Sequence, residues 1–406
     1  MLRMVSLPVP GGICGVTPQA RVQAGIEVLD LVIAAARGQG APADRLIADW
    51  FRTRRFAGSS DRRSVRDLVY RAIRACGPVP ETGRAAMLAL AQGDDALLAL
   101  FDGSRHAPAP ILDGEPVATG GIAPSWLEAA LAASDIAGDE AAALLDRAPL
   151  DLRVNTLKAS RASLDLPQPG EPLAVHGLRF PFGTAVEGWE AYAEGLVEVQ
   201  DAGSQLACMT LAAAPGETVV DLCAGAGGKT LALAADMAGR GRLIACDTDR
   251  ARLSRLAPRA ARAGAVLIEE RLLDPGREEA ALADLAAACD AVLVDAPCSG
   301  TGTWRRNPEA RWRLTEAQLA RYGAIQARLL DLAATLVRPG GRLVFVTCSL
   351  LDAEGADQAA GFLARHPGWR AERPDPRAGR ARGEGLRLTP HHDATDGFFI
   401  ARFVSP

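Results

Sequence analysis

ETVVDLCAGAGGKT (217–230) decides the fold class. TVVDLCA is a short apolar run of strand length, the glycines after it form a turn, and TLALAADM continues as a helix. A buried strand that passes through glycines into a helix start is a ligand-approach unit. The glycines let a backbone come close, and the first helical N–H groups are free to bind. Four more runs of strand length follow the same rhythm: RLIACD (242–247), AVLIEE (265–270), AVLVDA (291–296) and RLVFVTC (342–348), with helical stretches between them. This alternation predicts an α/β fold, a Rossmann-like domain with a mostly parallel sheet over residues 201–406.

Upstream the pattern changes. LDLRVNTLK (150–158) alternates as a strand, a strand pair is expected around LAVHGLRF and GLVEVQ, and Trp126 to Leu145 reads as a helix. Residues 120–200 are therefore expected to form a small α/β unit, entered from a Pro- and Gly-rich linker at 105–124. Residues 1–108 read as all-helical. Thr17 and Pro18 make an N-cap and first-turn pair, and Ile26, Leu29, Val32 and Ile33 recur at helical spacing. FRTRRFAGSSDRRSVRDLVYRAIR (51–74) carries eight arginines against two aspartates and is expected as a helix with either a solvated or an RNA-contacting face.

A chain of 406 residues exceeds one ordinary core, so two or three domains are expected. No run reaches the roughly eighteen apolar residues of a membrane helix. MLRMVSLPVPGGICGV has no sustained apolar core and makes a poor signal peptide, so a cytoplasmic protein with no membrane partner is expected. A monomer is expected as well. Eight cysteines without a CxxC pair indicate neither a metal site nor a disulfide framework. The net charge of −4 argues weakly against a polyanionic partner, but a sum hides distribution. Lysine occurs only at Lys158 and Lys229.

Two ligand classes compete for the glycine loop. Gly228-Lys229-Thr230 resembles the end of a phosphate-binding loop, but that pattern requires glycine where Cys223 stands. An adenosine-bearing cofactor instead wants an acid at the end of the second strand, and Asp247 stands there. On these features a nicotinamide cofactor stays open, and Asp247 has helix capping as its alternative role.

DAPCSGTG (295–302) and VTCSL (346–350) each follow a strand, so Asp295, Cys298 and Cys348 fall at the sheet edge where α/β folds bind ligands. Methylation of a pyrimidine ring carbon needs a thiolate there. C5 of cytosine is a poor nucleophile until a thiolate adds to C6, and a carboxyl group at N3 assists. One cysteine and one acid suffice for that addition, so a second cysteine implies a separate task.

These stretches, with DLRVNTLK, VQDAGSQLA, LIACDTDRARLSRL, RLLDPG and DGFFIARF, resemble the Sun/RsmB family of RNA cytosine-C5 methyltransferases over roughly 120–406. Residues 17–105 resemble the NusB-like RNA-binding domain of its bacterial members. The resemblance implies a class I methyltransferase domain that uses S-adenosylmethionine on RNA, with small-subunit ribosomal RNA as the expected substrate. It makes Cys348 the nucleophile, Cys298 the cysteine that assists product release, and Asp295 a contact to both cytosine and cofactor. Cys223, Ala224, Gly225, Ala226, Gly227, Gly228, Lys229, Asp247 and Asp274 would line the cofactor pocket. DNA cytosine methyltransferases place the nucleophile in their Pro-Cys motif, so position alone would have chosen Cys298. The chain departs from the family at Ala226, where proline is usual. TWRRNPEARWR (303–313) interleaves Trp304 and Trp312 with Arg305, Arg306, Arg311 and Arg313, an expected RNA contact unless the tryptophans are core. A tRNA enzyme and a non-catalytic RNA-binding assembly factor are the alternatives.

Overall fold

The computed structural model describes residues 16–38, 40–54, 57–173, 176–373 and 379–406. The expectation about a signal peptide falls on residues 1–15, outside the described residues. The chain divides into two units, Met1–Glu128 with Asn307–Arg313, and Ala129–Arg306 with Leu314–Pro406.

The first unit contains α1 (Pro18–Arg37), α2 (Ala43–Arg52), α3 (Ser59–Ala75) and α4 (Gly83–Ala91). Thr17 Oγ1 accepts from the Ala20 N–H at 3.2 Å with Pro18 at the first helical position, so α1 starts as its sequence indicates. Ile26, Leu29, Val32 and Ile33 are buried and share a core with Val65, Val69 and Ile73 of α3. The arginine-rich stretch is not one helix. α2 ends at Arg52, and α3 starts at Ser59, where the Gly58 N–H donates to Asp61 at 3.2 Å.

Residues 307–313 belong to this helical unit, and they overturn the reading of TWRRNPEARWR as an RNA contact. Arg311 is fully buried, and its guanidinium donates to the carbonyls of Ile73 and Cys76, each at 2.7 Å, at the C-terminal end of α3. Glu309 accepts from the Ala43 N–H at 3.0 Å at the start of α2. Cation at a helix C-terminus and acid at an N-terminus each complement the helix dipole. Trp312 donates to the Gly77 carbonyl at 3.1 Å, and Arg313 donates to the carbonyls of Gly40 and Ala41, each at 2.6 Å. Arg311 and Glu309 close helix ends, and Trp312 and Arg313 tie down loop carbonyls next to them.

In the second unit, β1 (Leu150–Val154), β2 (Glu171–Leu173), β3 (Gly177–Phe180) and β4 (Val197–Val199) form an antiparallel sheet in the order β2-β3-β1-β4. The helix expected over 126–145 is interrupted. Ser125–Ala133 and Asp139–Ala142 are separate helices, because Asp135 (φ 60°) and Gly138 (φ 56°) turn the backbone left-handed between them.

The larger sheet holds β5 (Thr218–Asp221), β6 (Arg242–Asp247), β7 (Ile268–Leu272), β8 (Cys289–Asp295), β9 (Val337–Thr347), β10 (Arg370–Ala371), β11 (Arg380–Arg382), β12 (Gly385–Leu388) and β13 (Phe398–Val404). Its order is β11-β12-β13-β9-β8-β5-β6-β7, with β10 paired to β13. The five strands from β7 to β9 are parallel, and the strands from the C-terminal segment add to β9 antiparallel. β7 starts three residues later than AVLIEE indicates, since Gly264 ends the preceding helix in a left-handed turn and Val266 is 90% exposed. The strand order reverses between β5 and β8. In open α/β sheets that switch point opens a crevice at the C-terminal strand ends.

Replacing Arg311 by alanine strands the α3 carbonyls in a buried site, and we expect a loss of roughly 3 kcal/mol. Denaturant unfolding checks this. An unchanged midpoint would restore the reading of Arg311 as a ligand contact.

Candidate active site

The crevice is built by the glycine loop. β5 ends at Asp221, fully buried, which accepts from the Thr230 hydroxyl at 2.7 Å through Oδ2. The Ala224 N–H donates to the Cys246 carbonyl at 2.8 Å, and the Gly225 N–H donates to Asp247 Oδ2 at 2.7 Å. Gly227 starts the helix Gly228–Asp236 with φ 86°, and a Cβ there would lie 2.1 Å from Leu256 Cδ1. Only glycine satisfies both conditions. At Ala226, where the resemblance leads one to expect proline, the carbonyl accepts from Arg259 at 2.6 Å, and Arg259 pairs with buried Glu198 at 2.9 Å. The loop is thus braced through a side chain.

Asp247 Oδ1 accepts from the Asp249 N–H at 2.7 Å, while Asp249 caps the helix Arg250–Leu253. The capping role considered for Asp247 therefore belongs to Asp249, and Asp247 ties β6 to the glycine loop. The Leu273 N–H donates to the Asp247 carbonyl at 2.9 Å, which brings exposed Asp274 to the same edge. Lys229 Nζ lies 2.6 Å from Asp295 Oδ2. Burial lowers the Lys229 pKa, and the charge of Asp295, its hydrogen bond and the neighbouring thiols Cys208 and Cys348 together more than reverse this, holding it above its ordinary value. Asp221 Oδ1 is buried without a hydrogen-bond partner. An unpartnered acceptor beside a glycine loop fits a ligand that brings a donor, as the amino group of S-adenosylmethionine does.

β8 and β9 run parallel with Asp295 paired to Val346, so their continuations leave the sheet together. Cys298 Sγ and Cys348 Sγ stand 3.4 Å apart. The hydrogen bond to Cys348, then burial, hold the Cys298 thiol well above its ordinary pKa, so Cys298 keeps its proton. Burial pushes Cys208 and Cys246 up to about 12, and Cys76 and Cys289 up to about 11, as befits inert core thiols.

Sequence reading missed the support beneath the pair. The Gly302 N–H donates to the Cys348 carbonyl at 3.0 Å, and the Gly397 N–H donates to the Gly302 carbonyl at 2.8 Å. Buried Glu354 accepts from the Ser299 N–H at 2.8 Å. A serine after each cysteine was the visible signal. Arg305 pairs with Asp396 at 3.0 Å, and Arg306 reaches Asp396 at 2.5 Å and Asp201 at 3.1 Å. With Trp304 fully buried, the first half of the 303–313 stretch is structural as well. Lys158 donates to the carbonyls of Glu194 and Arg262, at 2.8 and 2.6 Å. Its ammonium closes a helix end.

Burial raises Asp221 from 3.8 to about 7. The folded chain then binds this proton more tightly than the unfolded one. Its contribution to stability is full below 3.8 and is lost as pH rises through about 7. Asp221→Asn should therefore raise the melting temperature relative to wild type at pH 8 by more than at pH 5. An equal difference at both pH values would contradict this assignment.

Among the described residues no group of three or more His, Cys, Asp or Glu side chains could hold a metal, and no helix is long and apolar enough to cross a membrane. The family described as 16S rRNA methyltransferase RsmB/F matches residues 208–404. A probable ribosomal RNA small subunit methyltransferase B of Synechocystis is 38% identical over 62% of this chain and 59% of its own length. The ribosomal RNA small subunit methyltransferase B of Sodalis glossinidius is 32% identical over 74% of this chain and 70% of its own. The chain thus spans 59 to 70% of the length of these relatives. Among solved structures, PH0851 is 25% identical with a TM-score of 0.75, over 95% of this chain and 99% of that one. A methyltransferase homologue from Pyrococcus horikoshii is 25% identical with a TM-score of 0.57, over 70% of this chain and 99% of its own. By sequence, and with a fold shared with these structures, the chain belongs to the RsmB/F methyltransferase family.

Proposed function

We propose that this chain is an S-adenosylmethionine-dependent methyltransferase of small-subunit ribosomal RNA that acts on C5 of a cytosine, in the cytoplasm and as a monomer. The observation that carries the reading is the pair of thiols 3.4 Å apart at the crevice, with Asp295 at the end of the adjoining strand. A methyl transfer to oxygen or nitrogen needs no thiol, whereas C5 of cytosine must first be activated by addition at C6.

The residues divide the work. Cys223 to Lys229, Asp247, Asp274 and Asp295 hold the cofactor, which supplies an electrophilic methyl group when bound. Asp295 meets the N3 edge of a cytosine turned out of its stack, where a hydrogen bond makes the ring a better electron acceptor. Cys348 Sγ forms a bond to C6, and the displaced π electrons make C5 nucleophilic. Once C5 is methylated its proton passes to solvent water, the C5–H electron pair re-forms the C5–C6 double bond, and the Cys348–C6 bond breaks with its electron pair on sulfur, returning the Cys348 thiolate. Cys298, protonated and in contact with Cys348, assists this release. Residues 1–108 and the unit 120–200 would add RNA contacts to those of the catalytic domain 201–406.

Unmodified small-subunit ribosomal RNA incubated with enzyme and S-adenosylmethionine should gain 5-methylcytidine, quantified by nucleoside mass spectrometry. Cys348→Ala should lower the rate by at least about 10³-fold. Methylation of tRNA alone would move the substrate. Absence of S-adenosylmethionine binding by calorimetry would favour a non-catalytic RNA-binding factor.

A further inference from the structure

The hydrogen bonds around the two cysteines converge on one carboxyl group. Glu354 is 1% exposed, in the turn Asp352–Glu354 that follows β9. Its Oε1 accepts from the Ser299 N–H at 2.8 Å and from Gln326 Nε2 at 3.2 Å, and its Oε2 accepts from the Ser299 hydroxyl. Ser299 Oγ lies 3.2 Å from Ser349 Oγ, and Gln326 also donates to the Pro297 carbonyl at 2.9 Å. Both neighbours of Cys298, and the residue after Cys348, are thus tied to a single buried centre.

Neutral donors alone do not call for an acid there. A glutamine oxygen accepts the two bonds made to Oε1, its amide can donate to the Ser299 hydroxyl in place of the third, and burying a carboxylate costs free energy. The acid adds a negative charge on the Cys298 side of the pair, while the Lys229 ammonium acts on the Cys348 side. Tyr322, one helical turn before Gln326, also faces Cys298 and Glu354. We propose that Glu354 is the positioning residue of the thiol pair: through Ser299 and Ser349 it fixes the contact of Cys298 with Cys348, and its charge assigns the shared proton to Cys298, leaving Cys348 as the attacking thiolate. The high pKa of Cys298, set first by its hydrogen bond to Cys348 and then by burial, includes a contribution from Glu354.

The effect on rate rests on the cytosine-C5 reading, but the effect on the thiols does not. Full-length wild type, Glu354→Gln and Glu354→Asp, each checked by circular dichroism, would be alkylated with iodoacetamide from pH 6 to 10, with both cysteine peptides quantified by mass spectrometry. In wild type Cys348 should react at pH 7 about tenfold faster than Cys298, and Glu354→Gln should bring the two within about threefold. Glu354→Gln should also lower kcat by about 10²-fold with KM for RNA unchanged, and Glu354→Asp should recover part of it. A folded Glu354→Gln with the wild-type alkylation ratio would overturn the proposal. If that variant does not fold, Ser349→Ala decides: it should lower kcat, and an unchanged kcat sinks the idea. Wild type without methylation, but with an alkylation ratio that responds to Glu354→Gln, would remove the methyltransferase reading and leave the role of Glu354 standing.

Discussion

The parallel pairing of β8 with β9 is the constraint on which the site depends. Asp295 stands opposite Val346, and the Ala296 N–H donates to the Val346 carbonyl at 2.9 Å. Two loops separated by fifty residues of sequence therefore leave the sheet side by side. Their thiols meet because the strands are in register. A slip by one residue would turn every strand side chain to the opposite face. Buried Val292, Val294 and Phe345 belong to one core, so that slip would place apolar side chains in the wrong layer. The hydrophobic pattern of the sheet thus sets the chemistry at its edge.

Around this edge the chain accepts groups that a purely structural core would exclude. Asp221 is fully buried with one oxygen unpartnered, the Lys229 stem is buried against the Asp295 pair, and Glu354 sits beneath the cysteines. Each costs desolvation free energy. Buried ionisable groups gathered at one crevice, with the pKa values of Asp221 and Lys229 shifted, are characteristic of a working site. The ion pairs of Arg305 and Arg306 with Asp396 are different, since they join the loop after Cys298 to the segment just before β13.

Much of this was legible in the sequence because it is local. The capping of α1 by Thr17, the strand–glycine–helix unit at 217–230 and the strands ending at Asp247, at Asp295 and at Thr347 just before Cys348 follow from short-range pattern. What was not legible depends on partners far along the chain. The arginines of TWRRNPEARWR look solvated until Asp396 lies beside Arg305 and the end of α3 beside Arg311. The break near Asp135 needs a left-handed turn at a residue that is not glycine, and helical periodicity does not register it. Glu354 carries no motif of its own, and only the fold shows that it supports Ser299. The family resemblance alone assigned the two cysteines their roles; the fold brings their sulfur atoms to 3.4 Å of each other.

The central claim is that Cys348, and not Cys298, bonds to the base. Small-subunit ribosomal RNA carrying 5-fluorocytidine tests it most directly, because a C5 fluorine in place of the departing proton prevents release and preserves the protein–RNA bond. After incubation with S-adenosylmethionine and digestion, mass spectrometry of the adduct should find the modified nucleotide on the peptide containing Cys348. A nucleotide on the Cys298 peptide would contradict the account and reverse the two roles.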